Sequence, residues 1–183
     1  MTEVVLQSPR AGKFTIFKNI MTKIMMGFTI ILISFLIIAA VLNLRLGVEG
    51  QEVSCLPFTY GIERFHNVTE FKRGDILMFA TTYNEMGDKF KGRMIAKMVA
   101  AIPGDEVLVK DGYISINGKV WGDLGNVEKV AEYMHRDVHS FDRKEIVPPG
   151  MLLMLGTLPR SFDGRYWGFL HQSSILGTVY PIY

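Results

Sequence analysis

Charge disappears from the chain between Lys23 and Arg45. The stretch 24–44, IMMGFTIILISFLIIAAVLNL, runs for 21 residues without an acidic or basic side chain. As a helix it is about 30 Å long, enough to cross the hydrocarbon core of a bilayer. Beyond it the apolar runs become short and are punctuated by glycine and proline. Residues 75–81 and 94–102 are near-continuous apolar runs, the pattern of strands covered on both faces. Residues 106–110 alternate and meet 113–116 across Asp111-Gly112, a strong hairpin signal, and Asn117-Gly118 turns the chain into 119–121. Residues 151–155, opened by Pro148-Pro149-Gly150, and 175–182 read as further strands. Residues 126–136 have room for a short helix, and 136–147 are polar and irregular. Short strands, many turns and little helix predict a mostly β domain, a folded antiparallel sheet or barrel, carried on one N-terminal transmembrane helix.

The flanks of the span set its expected orientation. Arg10, Lys13, Lys18 and Lys23 precede it, whereas Arg45, Glu49 and Glu52 follow. Positive charge is retained on the cytoplasmic side. The chain therefore divides into a basic cytoplasmic N-terminus (1–23), expected to be poorly ordered over 1–20, a signal-anchor (24–44) and an extracytoplasmic domain (45–183). The apolar run exceeds the roughly 7–15 residues of a cleaved signal peptide, and no small-x-small site follows it. The expected location is the inner membrane, single-pass, with the domain in the periplasm of a Gram-negative cell.

A net charge of +2 and the lack of a basic patch interleaved with aromatics give no sign of nucleic-acid binding. His66, His135, His139 and His171 are scattered without metal-ligand spacing, so neither a metal nor another cofactor is expected. The eleven methionines fall largely in the span and the apolar strands, where packing accounts for them. Cys55 is the only cysteine, so the exported part folds without an internal disulfide. It is either a small buried apolar residue or a nucleophile.

Lys97 is the one charged residue within 94–102, and on either face its neighbours are apolar. One account is a lysine that snorkels out at a sheet edge. The other is an enclosed amine: burial disfavours a charged ammonium, and a neutral amine beside a nucleophile is a general base.

Four ordered blocks then carry a resemblance. They are Ser54-Cys55-Leu56-Pro57 just after the span; Arg73-Gly74-Asp75-Ile76-Leu77-Met78-Phe79; Lys97 six residues before Pro103-Gly104-Asp105; and Ser161-Phe162-Asp163-Gly164-Arg165-Tyr166-Trp167-Gly168. Together they resemble the membrane-bound type I signal peptidases with a Ser/Lys dyad (peptidase family S26). The short chain and Leu56-Pro57 after Cys55 are similar to the conjugative-transfer, TraF-type branch. The resemblance implies a catalytic domain over 45–183 with Lys97 as general base and Ser161 orienting it. It implies structural support near the site from Asp163 and Arg165 as an ion pair, from the turn at Gly104 and Asp105, and from Arg73 and Asp75. The nucleophile position reads as Cys55 in the Ser-x-Pro pattern of the conjugation branch, with Ser54, which fits Ser-x-x-Pro, as the alternative. The hydroxyl that the general enzymes place two residues before the nucleophile is absent, since Val53 and Glu52 stand there. Phe162, Tyr166, Trp167 and Phe169 either line a substrate side, touch lipid or pack in the core.

The function implied is a membrane-anchored endopeptidase acting on exported or membrane-inserted precursors. In the conjugation branch the client is a pilin precursor, cleaved and also open to cyclisation. The partners implied are that precursor, membrane lipid and conjugation-apparatus proteins. The alternative is a catalytically impaired relative serving as an assembly module of a type IV secretion system.

Overall fold

A computed structural model describes residues 9–48, 55–81, 92–125 and 127–183. The chain forms two compact units, Met1–Leu42 and Asn43–Tyr183. The first is the helix α1, Pro9–Val41, of which Phe14–Val41 is long and apolar enough to cross a membrane. Two of its hydroxyls bond back within the helix: Thr22 Oγ1 donates to the Lys18 carbonyl and Thr29 Oγ1 to that of Met25, each at 2.9 Å. A polar group surrounded by hydrocarbon needs such a partner. The helix begins well before residue 24, because the residues upstream include good helix formers and no proline after Pro9. It ends before Asn43, whose φ of 52° is left-handed. Leu44 accordingly belongs to the following strand and not to the apolar helix.

The second unit is mostly β and entirely antiparallel in its described pairings. Its strands are β1 (Leu44–Val48), β2 (Tyr60–Phe65), β3 (Ile76–Ala80), β4 (Met94–Ala101), β5 (Glu106–Lys110), β6 (Tyr113–Ile116), β7 (Lys119–Asp123), β8 (Arg143–Ile146), β9 (Met151–Leu155), β10 (Leu170–His171) and β11 (Ile175–Ile182). One sheet has the order β1-β2-β11-β3-β4-β9-β10 and the other β7-β6-β5-β8. Helix α2 (Val127–Met134) and the single turn α3 (Gly164–Trp167) complete it, with a 3₁₀ turn at Val138–Phe141. Asp111 and Gly112, then Asn117 and Gly118, all take positive φ, as two-residue hairpin turns require.

The apolar runs at β3 and β4 sit in the middle of the large sheet and are covered on both faces. Leu77 and Phe79 point into one cluster with Val99, Leu152, Met154 and Trp167, while Ile76 and Met78 join Leu56 and Val179 in another. Full burial of each such side chain contributes roughly 1.5–3 kcal/mol. A third cluster lies on the inner face of the small sheet, where Val107, Val109 and Ile114 meet Ala131, Phe141, Leu153 and Tyr166.

At the other edge of the large sheet the register lines up apolar side chains in two rows, Leu46–Ile62–Tyr180 and Val48–Tyr60–Ile182. All six are exposed.

Candidate active site

Lys97 lies mid-way along β4, opposite Leu77 of β3. Strand alternation puts it on the face shared by Ile95 and Val99, which pack into the cluster of Leu77 and Phe79. It does not snorkel: only 2% of the residue is exposed. Its Nζ donates to Ser161 Oγ at 3.0 Å, and Ser161 is itself buried. A buried amine needs such a partner, because an unmade hydrogen bond there costs about 1–3 kcal/mol.

Ser161 is held from below by the ion pair of Asp163 and Arg165, both buried. Asp163 caps α3 by accepting from the Arg165 backbone N–H at 3.1 Å, and its other oxygen accepts from the Gly156 N–H at 2.7 Å. The Arg165 guanidinium donates to Asp163 and to the carbonyls of Gly156 (2.9 Å), Leu158 (3.0 Å), Pro159 (3.3 Å) and Asp123 (2.9 Å). One buried cation thus collects the carbonyls of the loop that carries Ser161, and its charge is balanced by Asp163.

Cys55 comes to the same place from the other direction. It is buried, with 8% exposed, and Leu56 after it is anchored in the core. The Cys55 carbonyl accepts from the Thr157 N–H at 2.9 Å. Between the two approaches sits Gly156. A Cβ built there would overlap Ser161 Oγ and lie 2.6 Å from Ser161 Cβ and 2.7 Å from the Cys55 carbonyl oxygen. Cys55, Gly156, Ser161 and Lys97 therefore form a contiguous set. Ser54, together with Glu52 and Val53, lies outside the described residues.

The turn after β4 is locked by Asp105. It accepts from Arg73 Nε at 2.8 Å and from Nη2, from Asn117 Nδ2 at 2.7 Å and from the Ile102 N–H at 2.9 Å. Gly104 has φ +91°, a conformation that favours glycine. Asp75 makes a separate local turn, accepting from the Lys72 N–H at 2.9 Å. The Arg73 hydrogen bond, helped by Asn117 and the Ile102 N–H against the cost of burial, lowers the Asp105 carboxyl from its ordinary 3.8 to about 2. A carboxyl with a depressed folded pKa stabilises the fold fully above its unfolded value, and that contribution is lost as pH falls through the folded value. The wild-type Tm should therefore drop between about pH 4 and pH 2. Asp105→Asn should melt a few degrees lower at pH 7 and show a shallower fall over that window, a difference thermal scans from pH 7 to 2 can measure.

The aromatic residues of the fourth block divide. Tyr166 and Trp167 are core: Tyr166 packs edge-on to Phe141 at 5.3 Å and bonds the Leu124 carbonyl, and Trp167 packs against Phe79 at 6.2 Å. Burial pushes the Tyr166 hydroxyl up to about 12. Phe162, stacked on Tyr166 at 5.9 Å, and Phe169 are half-buried. No group of histidine, cysteine and carboxylate suited to a metal occurs among the described residues. Gly156 was not marked by the sequence reading. Its signal is backbone room, which a side-chain pattern does not carry.

The family model described as "Signal peptidase, peptidase S26" matches residues 18–183. The chain is 31% identical over 110 residues to the Synechocystis protein named "Probable signal peptidase I-2", covering 60% of this chain and 46% of that one. It is 26% identical over 139 residues to signal peptidase I V of Bacillus subtilis, covering 72% and 74%. It is 28% identical over 86 residues to the Escherichia coli plasmid transfer protein TraF, covering 47% and 49%. The matches thus span about half the length of the Synechocystis and Escherichia coli relatives. A solved signal peptidase I from Enterococcus faecalis aligns with 61% of this chain and 97% of its own, at 26% identity and a TM-score of 0.37. With the family match running from within α1 to the last residue, the chain belongs to the signal peptidase family, peptidase S26.

Proposed function

We propose that this protein is a membrane-anchored endopeptidase in which Lys97 is the general base and Cys55 the nucleophile. The observation that carries the reading is the buried Lys97–Ser161 hydrogen bond, set beside the backbone of Cys55 by Gly156 and Thr157. Lys97 Nζ takes the thiol proton, and the thiolate adds to the scissile carbonyl. The backbone N–H of Cys55 is the natural donor to the tetrahedral oxyanion. Collapse breaks the peptide bond, Lys97 returns the proton to the leaving amine, and the acyl group stays on sulfur as a thioester. Water then resolves it, or a second amine does, giving ligation or a cyclic product. Ser161 accepts from the amine and orients it.

The orientation we propose leaves the basic N-terminus in the cytoplasm and the domain outside, so the client is a precursor presented at the outer membrane surface. The similarity to TraF supports a pilin precursor of a conjugation apparatus, with that apparatus as partner. An inactive assembly module explains the lack of a hydroxyl at Val53, but gives no use for an amine buried against Ser161.

The test uses the full chain in detergent micelles with a precursor carrying small residues before the cut. Acid quenching should trap an acyl group on Cys55 that hydroxylamine removes. A product lighter than the hydrolytic one by a water marks cyclisation. No cleavage by folded protein supports the assembly module, and an acyl group found on Ser54 moves the nucleophile.

A further inference from the structure

Arg143 lies on β8 at the edge of the small sheet, outside all four sequence blocks. Its side chain, 17% exposed, turns inward. Nη2 donates to the Gly164 carbonyl at 2.7 Å, and Nη1 donates to the carbonyls of Arg165 at 2.9 Å and Phe141 at 3.2 Å. Nε pairs with Glu145 at 3.2 Å. Gly164 and Arg165 are the first two residues of α3; the Gly164 carbonyl also accepts from the Gly168 N–H at 3.1 Å, so Arg143 adds a second donor there and reaches the next carbonyl as well. A planar guanidinium bridging successive carbonyls sets direction as well as distance.

The residues so held are the ones that hold the site. Arg165 gathers the carbonyls of Gly156, Leu158 and Pro159, and Asp163, at the cap of the same turn, fixes the Gly156 N–H. Ser161 hangs on that loop and orients Lys97. Gly164 itself packs closely on β9: a Cβ there would lie 2.9 Å from the Met154 carbonyl oxygen. The turn is thus pressed on the large sheet from one side and clamped by the small sheet from another.

We propose that Arg143 is a positioning residue for the Lys97–Ser161 pair, acting by clamping the α3 carbonyls from the second sheet. The proposal rests on the catalytic reading above. Without the clamp the turn keeps its packing on β9 but loses its hold on the small sheet, and a displacement of Ser161 by a fraction of an ångström alters the hydrogen bond that aims the amine.

The experiment compares wild type, Arg143→Ala, Arg143→Lys and Glu145→Gln in the full chain. It reads precursor cleavage per folded molecule and, separately, the pH dependence of Cys55 alkylation by iodoacetamide. Cys55 is the only thiol, so the label reports one position. Arg143→Ala should lower kcat about 10–100-fold, the size expected for a sub-ångström to 1 Å misplacement, with KM nearly unchanged. Its alkylation profile should shift along the pH axis, and millimolar guanidinium should restore part of the rate. Arg143→Lys should fall between, and Glu145→Gln, which keeps the carbonyl clamp, should match wild type. If Arg143→Ala does not fold, Arg143→Lys carries the test. Wild-type kcat and an unshifted profile in the folded Arg143 variants would overturn the proposal. If wild type cleaves no precursor the catalytic reading falls, while a profile that still shifts in Arg143→Lys upholds the positioning.

Discussion

Precursor cleavage should fall by about 10³-fold or more when Lys97 is replaced by methionine, and by as much when Cys55 is replaced by alanine. Methionine keeps the volume of the lysine stem among Ile95 and Val99 and removes only the amine. The variant should fold, because Ser161 loses a partner but no cavity opens, and a thermal scan within a few degrees of wild type would show it. What disappears is the proposed base, the group that would take the thiol proton and return it to the leaving amine. Because base and nucleophile act as one unit, the double variant should be no worse than either single one. Ser54→Ala should retain activity. Wild-type turnover by folded Lys97→Met would end the endopeptidase reading. Loss on Ser54→Ala with retention on Cys55→Ala would exchange the nucleophile while leaving the base in place.

Gly156→Ala should be nearly as damaging although it removes nothing. The new methyl group meets Ser161 Oγ and Cβ and the Cys55 carbonyl oxygen together. The Cys55 oxygen is tied to the Thr157 N–H, and Ser161 is tied to Lys97, so neither side gives way without breaking a bond that shapes the site. Overpacking of this kind costs about 1–3 kcal/mol. Activity should fall by about 10²-fold or more, since the nucleophile loop and the lysine's partner are driven apart. Adding Ser161→Gly should recover part of the stability and none of the activity. Steady-state kinetics beside thermal denaturation of wild type and the two variants would separate these effects, and an active Gly156→Ala would contradict the contiguity of Cys55 and Ser161.

What could be read from the chain alone depended on where the information is stored. β3 and β4 were visible because burial on both faces leaves Lys97 as their one polar position, and the two hairpins were visible because Asp-Gly and Asn-Gly supply the positive φ their turns need. β8 was hidden: Arg143-Lys144-Glu145-Ile146 is polar because it is an edge strand with an open face. β1 and β2 were hidden for the opposite reason, since the exposed Leu46, Val48, Tyr60 and Ile62 are apolar and blur the expected alternation. At the candidate site, Lys97 and Ser161 were legible as side chains that the proposed chemistry needs. Gly156 acts by the space it leaves, and Arg143 by reaching carbonyls that every residue possesses. Neither function has a spelling in the sequence.

The two apolar rows across β1, β2 and β11 bear on how this protein can be handled. Leu46, Val48, Tyr60, Ile62, Tyr180 and Ile182 are exposed, and among the described residues β1 is the edge strand of this sheet. An apolar face beside an open strand invites another chain to add on. Cutting the protein at residue 43 would therefore not yield an ordinary water-soluble enzyme. The shortened form would still be surface-active, self-associating as it is concentrated and calling for detergent in its own right.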